Sequence, residues 1–298
     1  MKASVLIAAF RAGPYLGPAL ASLRAQSHTD WELIVVEDGS HDETEALVAE
    51  FAATVSQPVR YDNLGQNRGV ASARNRLLEL ATGDALAFLD ADDYWEADHL
   101  ERTTALIAKG AGLVTAGVRG FDLATGRELF RYHPAPELEE DPIGVLFARS
   151  EIITCSSVVM SRAAITDVNG FDPQLRIGED RDYWLRCALN GAQFATAAGC
   201  TCNYAKHTSS AMTQTLTVAE QAVRFYRKHR NIRRVPALTR RRRLAQSYVI
   251  HARLTRRLNP FAAWRELLQA MPLTPFDFSL WSQICYTSVM LARPGRAH

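Results

Sequence analysis

Along the first 118 positions, apolar residues come in short blocks that alternate between two periods. Val5-Leu-Ile-Ala-Ala-Phe10 is an unbroken run of strand length. Leu33-Ile-Val-Val36 is a second, Val59-Arg-Tyr61 a third, Ala85-Leu-Ala-Phe-Leu89 a fourth, and Gly112 to Val118 a fifth. Continuous runs of this kind suit strands covered on both faces. Between them the apolar spacing widens to three and four. Leu16, Leu20 and Leu23 mark a helix over Tyr15–Gln26, and Glu43–Phe51, Gly69–Ala81 and Glu96–Lys109 read the same way. Strands alternating with helices predict an α/β domain with a mostly parallel, doubly wound sheet. Ligands bind beyond the carboxyl ends of such strands. Two acidic tetrads, Glu37-Asp38-Gly39-Ser40 and Asp90-Ala91-Asp92-Asp93, fall at that edge.

Beyond Val118 the pattern loosens. Residues 121–142, with Pro134, Pro136 and Pro142, predict a hairpin or a long loop. Ile152 to Met160 is another apolar run. Gly178 opens a helix that carries Trp184, Leu185, Ala188 and Leu189. After residue 217 the chain reads as helices broken near Pro236 and Pro260, so the expected division is a domain over 1–217 and a helical extension over 218–298.

Composition narrows the class. With 47% hydrophobic and 22% charged residues over 298 positions the chain is globular, neither disordered nor fibrous. Its first residues run straight into an apolar stretch ending at Phe10, without the pattern of a secretory signal. The longest uncharged apolar stretch, Phe278 to Ala292, has 15 residues, short of the roughly 20 that span a bilayer. Cys200 and Cys202 have no second Cys/His pair to complete a zinc site, which predicts structural thiols in a reducing cytoplasm.

Charge adds an asymmetry that the net value of +2 conceals. Residues 1–223 hold 18 basic and 30 acidic side chains, whereas 224–257 hold 13 basic and no acidic ones. The acidic part can hold a cation. The basic arm can meet anionic lipid, nucleic acid or an acidic polymer.

Several short motifs carry chemistry. Glu37-Asp38-Gly39-Ser40 alone would be an ordinary turn. Asn67-Arg-Gly69 followed by Ala73-Arg74-Asn75 sits at a helix start, where a cap and a solvated arginine are the simplest account. Asp90, Asp92 and Asp93 repel one another unless a cation or hydrogen-bond donors neutralise them. Mg²⁺ and Mn²⁺ take such oxygen ligands, usually one or two carboxylates together with substrate phosphates. A helix N-cap cluster would also account for Asp92 and Asp93. Glu179-Asp180 suits a first helical turn, where the dipole favours anions.

Taken in order, these motifs resemble the inverting nucleotide-sugar glycosyltransferases of family 2, which have the GT-A fold, over about residues 1–212. The resemblance implies a Rossmann-related sheet flanked by helices. Residues 1–118 would form its nucleotide-sugar half and 119–217 its acceptor side. It implies that the end of the first strand (Ala8, Phe10, Arg11), Glu37 and Asp38, Asn67, Arg74, Asp90 and Ala91 meet the donor. The family's usual P-x-Y-N after the first strand is Ala8-Ala9-Phe10-Arg11 here, and Glu37 stands for its first turn aspartate. Asp92, with Asp90 and His207, would hold Mn²⁺ or Mg²⁺. Glu179-Asp180 matches the E-D pair whose aspartate serves as base toward the acceptor hydroxyl.

The physics agrees. A diphosphate leaving group needs its growing charge offset by a cation or by charge-assisted donors such as Arg74 and His207. A weakly nucleophilic hydroxyl needs a carboxylate to take its proton. Trp95 and Trp184 flank the motifs and are candidates for stacking on a sugar, or for core. The expected partners are a nucleoside-diphosphate sugar and a glycan or lipid-linked glycan acceptor, with the arm over 224–257 touching an anionic membrane from the cytoplasmic side. No recognised motif supports nucleic acid. A nucleotidyltransferase would use the same metal and sheet, but Ala9-Phe-Arg-Ala-Gly-Pro14 is a poor match to its glycine-rich signature. A non-catalytic sugar-nucleotide or polysaccharide binding module is the other alternative, and it would not need intact Asp90, Asp92 and Asp180. A Rossmann dehydrogenase is disfavoured because no G-x-G-x-x-G follows the first strand.

Overall fold

The computed structural model describes residues 1–149, 153–206 and 215–292. The apolar runs at the start become β1 (Ala3–Ala9), β2 (Trp31–Glu37) and, after the shorter β3 (Val59–Asn63), β4 (Ala85–Phe88). Almost every residue of β1, β2 and β4 is buried, as strands covered by helices on both faces require. The covering helices are α1 (Gly13–Arg24), α2 (Thr44–Ala52) and α3 (Val70–Leu80). Leu16, Leu20 and Leu23 do line the buried side of α1.

These four strands are parallel, in the order β3-β2-β1-β4. Chain order therefore reverses between β1 and β4, the switch point where open α/β sheets bind ligands.

Past β4 the sheet becomes mixed. β5 (Tyr94–Trp95) is followed by α4 (His99–Ala108), β6 (Leu113–Asp122), β7 (Glu128–Tyr132), α5 (Glu137–Glu140) and α6 (Pro142–Ala148). After a 3₁₀ turn at Cys155–Ser157 come β8 (Val158–Ser161), α7 (Arg162–Ile165), α8 (Glu179–Leu189) and the long β9 (Phe194–Lys206). The order continues β4-β8-β6-β9-β5, with β7 also on β6. β8 runs antiparallel to both β4 and β6, while β9 is parallel to β6. The first half is thus wholly parallel, as expected, and the second half mixes the parallel β6–β9 pair with antiparallel ones. A tight turn can return a strand antiparallel but cannot supply the crossover a parallel one needs. The β6–β7 turn is such a hairpin: Asp122 Oδ1 accepts from the Thr125 N–H at 2.9 Å, and Gly126 sits at φ 69°.

Contacts divide the chain into a unit over 1–210 and a second over 211–298. The second unit is helical: α9 (Thr215–Lys228), α10 (Ala237–Thr255), α11 (Pro260–Ala270) and α12 (Phe278–Ala292). Pro236 and Pro260 open α10 and α11, where their missing N–H groups are harmless. The break between α11 and α12, around Pro272 and Pro275, was not expected. Much of the arginine run in 240–243 is used internally. Arg240 donates to the carbonyls of Val235 and Arg230, at 3.0 and 2.5 Å, and Arg241 to those of Leu273 and Pro272, at 3.2 and 2.7 Å. No helix among the described residues is long and apolar enough to cross a membrane.

Candidate active site

At the end of β1 the chain turns sharply. Arg11 takes φ 53°, its N–H donates to Ser40 Oγ at 2.7 Å, and its guanidinium lies 5.2 Å from the centre of the Phe10 ring. Ala8 is half-buried, while Phe10 and Arg11 are exposed at the mouth of the switch point. Glu37, fully buried at the end of β2, accepts the Ser40 hydroxyl, and burial raises its pKa above the usual carboxylate value.

Asp38 has a different task. Its two oxygens accept the N–H groups of Arg68 and Gly69 at 2.7 and 2.8 Å, tying the loop before α3 to the end of β2. Gly39, at φ 76°, lets the Gln66 backbone pass where a Cβ would stand 2.3 Å from a carbonyl carbon. Asn67 is exposed on that loop.

The centre of the site is Arg74, buried on α3. Its Nη2 donates to Asp90 Oδ1 at 2.7 Å and its Nη1 to Glu179 Oε1. Its guanidinium also lies 5.6 Å from the centre of the Phe171 ring. One side chain thus joins the end of β4 to the start of α8. Burial pushes Glu179 up to about 7, with Arg74 opposing and Asp180 reinforcing the rise. Asp180, half-buried on the first turn of α8, is also raised by burial and lowered by Arg74. Its Oδ1 accepts the Arg181 N–H at 2.6 Å. Cys155 is buried in the same field, and burial holds its thiol protonated.

The three aspartates after β4 divide their work. Asp93 is buried, accepting Ser156 Oγ at 2.5 Å and the Ala205 N–H at 2.9 Å. Burial, with Asp92 and Asp90 nearby, raises its pKa well above the usual carboxylate value. It fastens the acidic loop to the start of β8 and to β9. Asp90 is a third exposed and gives one oxygen to Arg74, Ala91 is buried, and Asp92 is half-buried. Among the described residues no three His, Cys, Asp or Glu side chains are gathered around a metal position. Mg²⁺ and Mn²⁺ do not require such a cage, since one or two carboxylates with substrate phosphates and water complete their shell. Asp90 and Asp92, half-open and side by side, fit that use. His207 lies outside the described residues.

Two expectations are corrected. Trp95 is buried, stacks on His99 with ring centres 4.4 Å apart, and donates its Nε1–H to the Ser156 carbonyl at 2.7 Å. Trp184 is fully buried and meets Phe88 and Phe171 edge-on, with ring centres 5.2 and 5.8 Å away. Neither ring is open to a sugar, because each side chain turns from its element into the core.

Ser156, which sequence reasoning passes over, accepts the Asp90 N–H at 3.0 Å and donates to Asp93. Its only signal was hydroxyls in an otherwise apolar stretch. Asn75, in the Ala73-Arg74-Asn75 motif, has a task that the motif alone does not reveal. Its amide donates to the Phe171 carbonyl at 2.9 Å and accepts the Phe171 N–H at 2.7 Å. Arg186 donates to the Gly170 carbonyl at 2.6 Å. The Gly170-Phe171-Asp172 turn is therefore held from α3 and α8 together.

A parallel half-sheet ending at a switch point, a mixed second half and an acidic loop after β4 make up the fold of the GT-A glycosyltransferases. The S. aureus TarS 1-349 structure in complex with UDP-GlcNAc superposes with a TM-score of 0.69, covering 99% of this chain and 93% of that one at 18% identity. The mannosyltransferase PcManGT from Pyrobaculum calidifontis, solved with GDP-Man and Mn2+, gives 0.62 over 97% of this chain and 85% of that one at 17% identity. Residues 4–168 match the model of glycosyl transferase family 2, and the chain belongs to that family. The amylovoran biosynthesis glycosyltransferase AmsB of Erwinia amylovora is 29% identical over 214 residues, which cover 67% of this chain and 68% of AmsB.

Proposed function

We propose that this glycosyltransferase moves a sugar from a nucleoside diphosphate to a hydroxyl of a glycan or lipid-linked glycan, with inversion and with the help of a divalent cation. The observation that carries the reading is the Arg74 bridge, which brings the Asp90-Ala91-Asp92 loop and the Glu179-Asp180 pair into one site from 16 and 105 residues away. The complexes of TarS with UDP-GlcNAc and of PcManGT with GDP-Man and Mn2+ support donor and cation on the same fold. AmsB is named for amylovoran biosynthesis, which supports a biosynthetic role for the transfer.

In this reading the base lies by Ala8, Phe10 and Arg11 at the mouth of β1, with Glu37 and Asp38 shaping the wall behind it. Asp92 and Asp90 hold the cation, which when bound offsets charge on the departing diphosphate. Arg74 keeps Asp90 in place. Asp180 takes the proton as the acceptor oxygen attacks the anomeric carbon and the bond to the diphosphate oxygen breaks. A raised pKa makes Asp180 a better base than an ordinary carboxylate. One displacement with one base gives one inversion.

The test is calorimetric titration with UDP and GDP in Mn²⁺ and then in EDTA, followed by NMR of the product anomer. Tight binding in Mn²⁺, weak binding in EDTA and an inverted anomer are expected. Equal affinity in EDTA removes the cation from the reading, and a retained anomer removes the single displacement. Asp92→Asn should abolish the Mn²⁺ effect, whereas Asp93→Asn should chiefly lower stability, since Asp93 is tied to Ser156 and Ala205.

A further inference from the structure

The helical unit exposes an unusual amount of apolar surface in one place. Leu258 is 76% exposed, Phe261 58%, Tyr286 55% and Val289 51%. Internal contacts gather them. Arg256, at the end of α10, donates to Gln283 Oε1 at 2.8 Å and lies 4.6 Å from the centre of the Tyr286 ring on α12. Trp264 on α11 donates to Ser288 Oγ at 3.1 Å, and Phe261 stacks on Trp264 with centres 6.4 Å apart. Helix α12 holds no charged residue, and Phe278, Trp281, Cys285, Tyr286 and Val289 form an exposed stripe at helical spacing.

Arginines rim this surface. Ile250, Arg253, Leu254, Arg257 and Leu258 are all exposed along the end of α10. Residues 224–257 contain no carboxylate to neutralise them. The nearby carboxylates are engaged: Glu266 meets His251 Nδ1 at 2.7 Å, and Asp277 accepts the Ser279 N–H at 2.9 Å as the cap of α12.

We propose that this face, formed by the end of α10, the start of α11 and the stripe of α12, docks on the headgroup boundary of an anionic lipid bilayer. Aromatic and aliphatic side chains edged with arginine match that boundary, where rings enter the interface and guanidinium groups reach phosphate. Each arginine near an anionic leaflet strengthens binding by about fivefold. A second copy is a poorer occupant, because a two-fold contact sets each patch against itself and would appose Arg253, Arg256 and Arg257 with no acids between them. Contact through Arg240 and Arg241, the densest charge in the sequence, is not part of the proposal, since both are spent on internal carbonyls.

Co-sedimentation of the full chain with phosphatidylcholine vesicles, with and without phosphatidylglycerol, tests the proposal. Binding should be at least about tenfold tighter with phosphatidylglycerol and should weaken as salt shortens the screening length. Leu258→Ser and Phe261→Ser should each weaken it by roughly tenfold through lost apolar insertion. Arg253→Glu with Arg257→Glu should do the same while the circular dichroism of the exposed-site variants stays unchanged. Absence of binding, equal binding to both vesicles, or variants that bind like the parent chain would overturn it. So would a concentration-dependent dimer that Leu258→Ser dissolves, which would give the face to a second copy. The vesicles carry neither donor nor acceptor, so failure here leaves the transfer reaction untouched, and a failed transfer assay leaves this surface standing.

Discussion

Arg74 owes its importance to having two carboxylate partners in a site that water barely reaches. Removing one member of a buried ion pair leaves a charge uncompensated and costs about 3–5 kcal/mol. Arg74→Gln should therefore lower stability by that order in urea titration. Arg74→Lys should rescue little, since an ammonium cannot reproduce the two-sided fork that meets Asp90 and Glu179. Asp180→Asn should reduce turnover by roughly 10²- to 10⁴-fold while leaving donor affinity nearly unchanged. Loss of donor affinity would instead place Asp180 in the nucleotide site. Glu179 and Asp180 share one field, so their protons leave as a pair. With both raised by burial, turnover at saturating donor should climb with pH to a midpoint above the ordinary carboxylate range. Since the charge of Arg74 pulls both downward, Arg74→Gln should move that midpoint higher. The Arg74, Asp90 and Glu179-Asp180 motifs were legible in the sequence because charged residues at strand ends and helix starts stand out from apolar runs. Ser156 and Cys155 were not, because small residues beside a strand look like packing. Trp95 and Trp184 stayed undecided between sugar stacking and core because a ring that stacks on sugar and a ring that fills a core are the same residue type.

Helix α8 is placed by arginines that reach other elements. Arg181 donates to the carbonyls of Leu146 and Phe147, at 2.6 and 2.7 Å, closing the end of α6. Arg186 and Asn75 grip the Gly170–Phe171 turn that leads into it. Asn75→Ala removes both bonds to Phe171 and leaves a buried N–H and a carbonyl without partners. It should cost about 1–3 kcal/mol and lower kcat more than it raises the donor Kd, because the turn positions Asp180 rather than the nucleotide. A donor Kd that moves as much as kcat would contradict this. The strands of the parallel half were readable because each is a long buried run. β5 was not, since two residues give no period, and the sense of β8 was not, since burial on both faces says nothing of direction.

For the whole molecule, protons link folding to pH. Glu179 binds its proton more tightly in the folded chain than in the unfolded one, and so does Asp93. The folded state then carries more protons, so stability falls as pH rises from about 4.5 through about 7. Urea midpoints should decline across that window, and Glu179→Gln should flatten the decline. A wild-type midpoint that rises there would refute the upward shift of Glu179 on folding. The charge asymmetry between 1–223 and 224–257 was fully visible in the sequence. Which arginines are free was not, because carbonyl acceptors such as those of Val235 and Leu273 leave no trace in composition.

The span of the Arg74 contacts also limits recombination. A chimera that keeps α3 and the acidic loop of this chain but imports the second half from a relative inherits a guanidinium awaiting a carboxylate 105 positions away. Donor grafts that carry Glu179 at the same place in α8 should fold, and those that do not should fail however well their strands align. The second half can therefore be exchanged only together with that one carboxylate, so a single contact ties two distant stretches of sequence in inheritance.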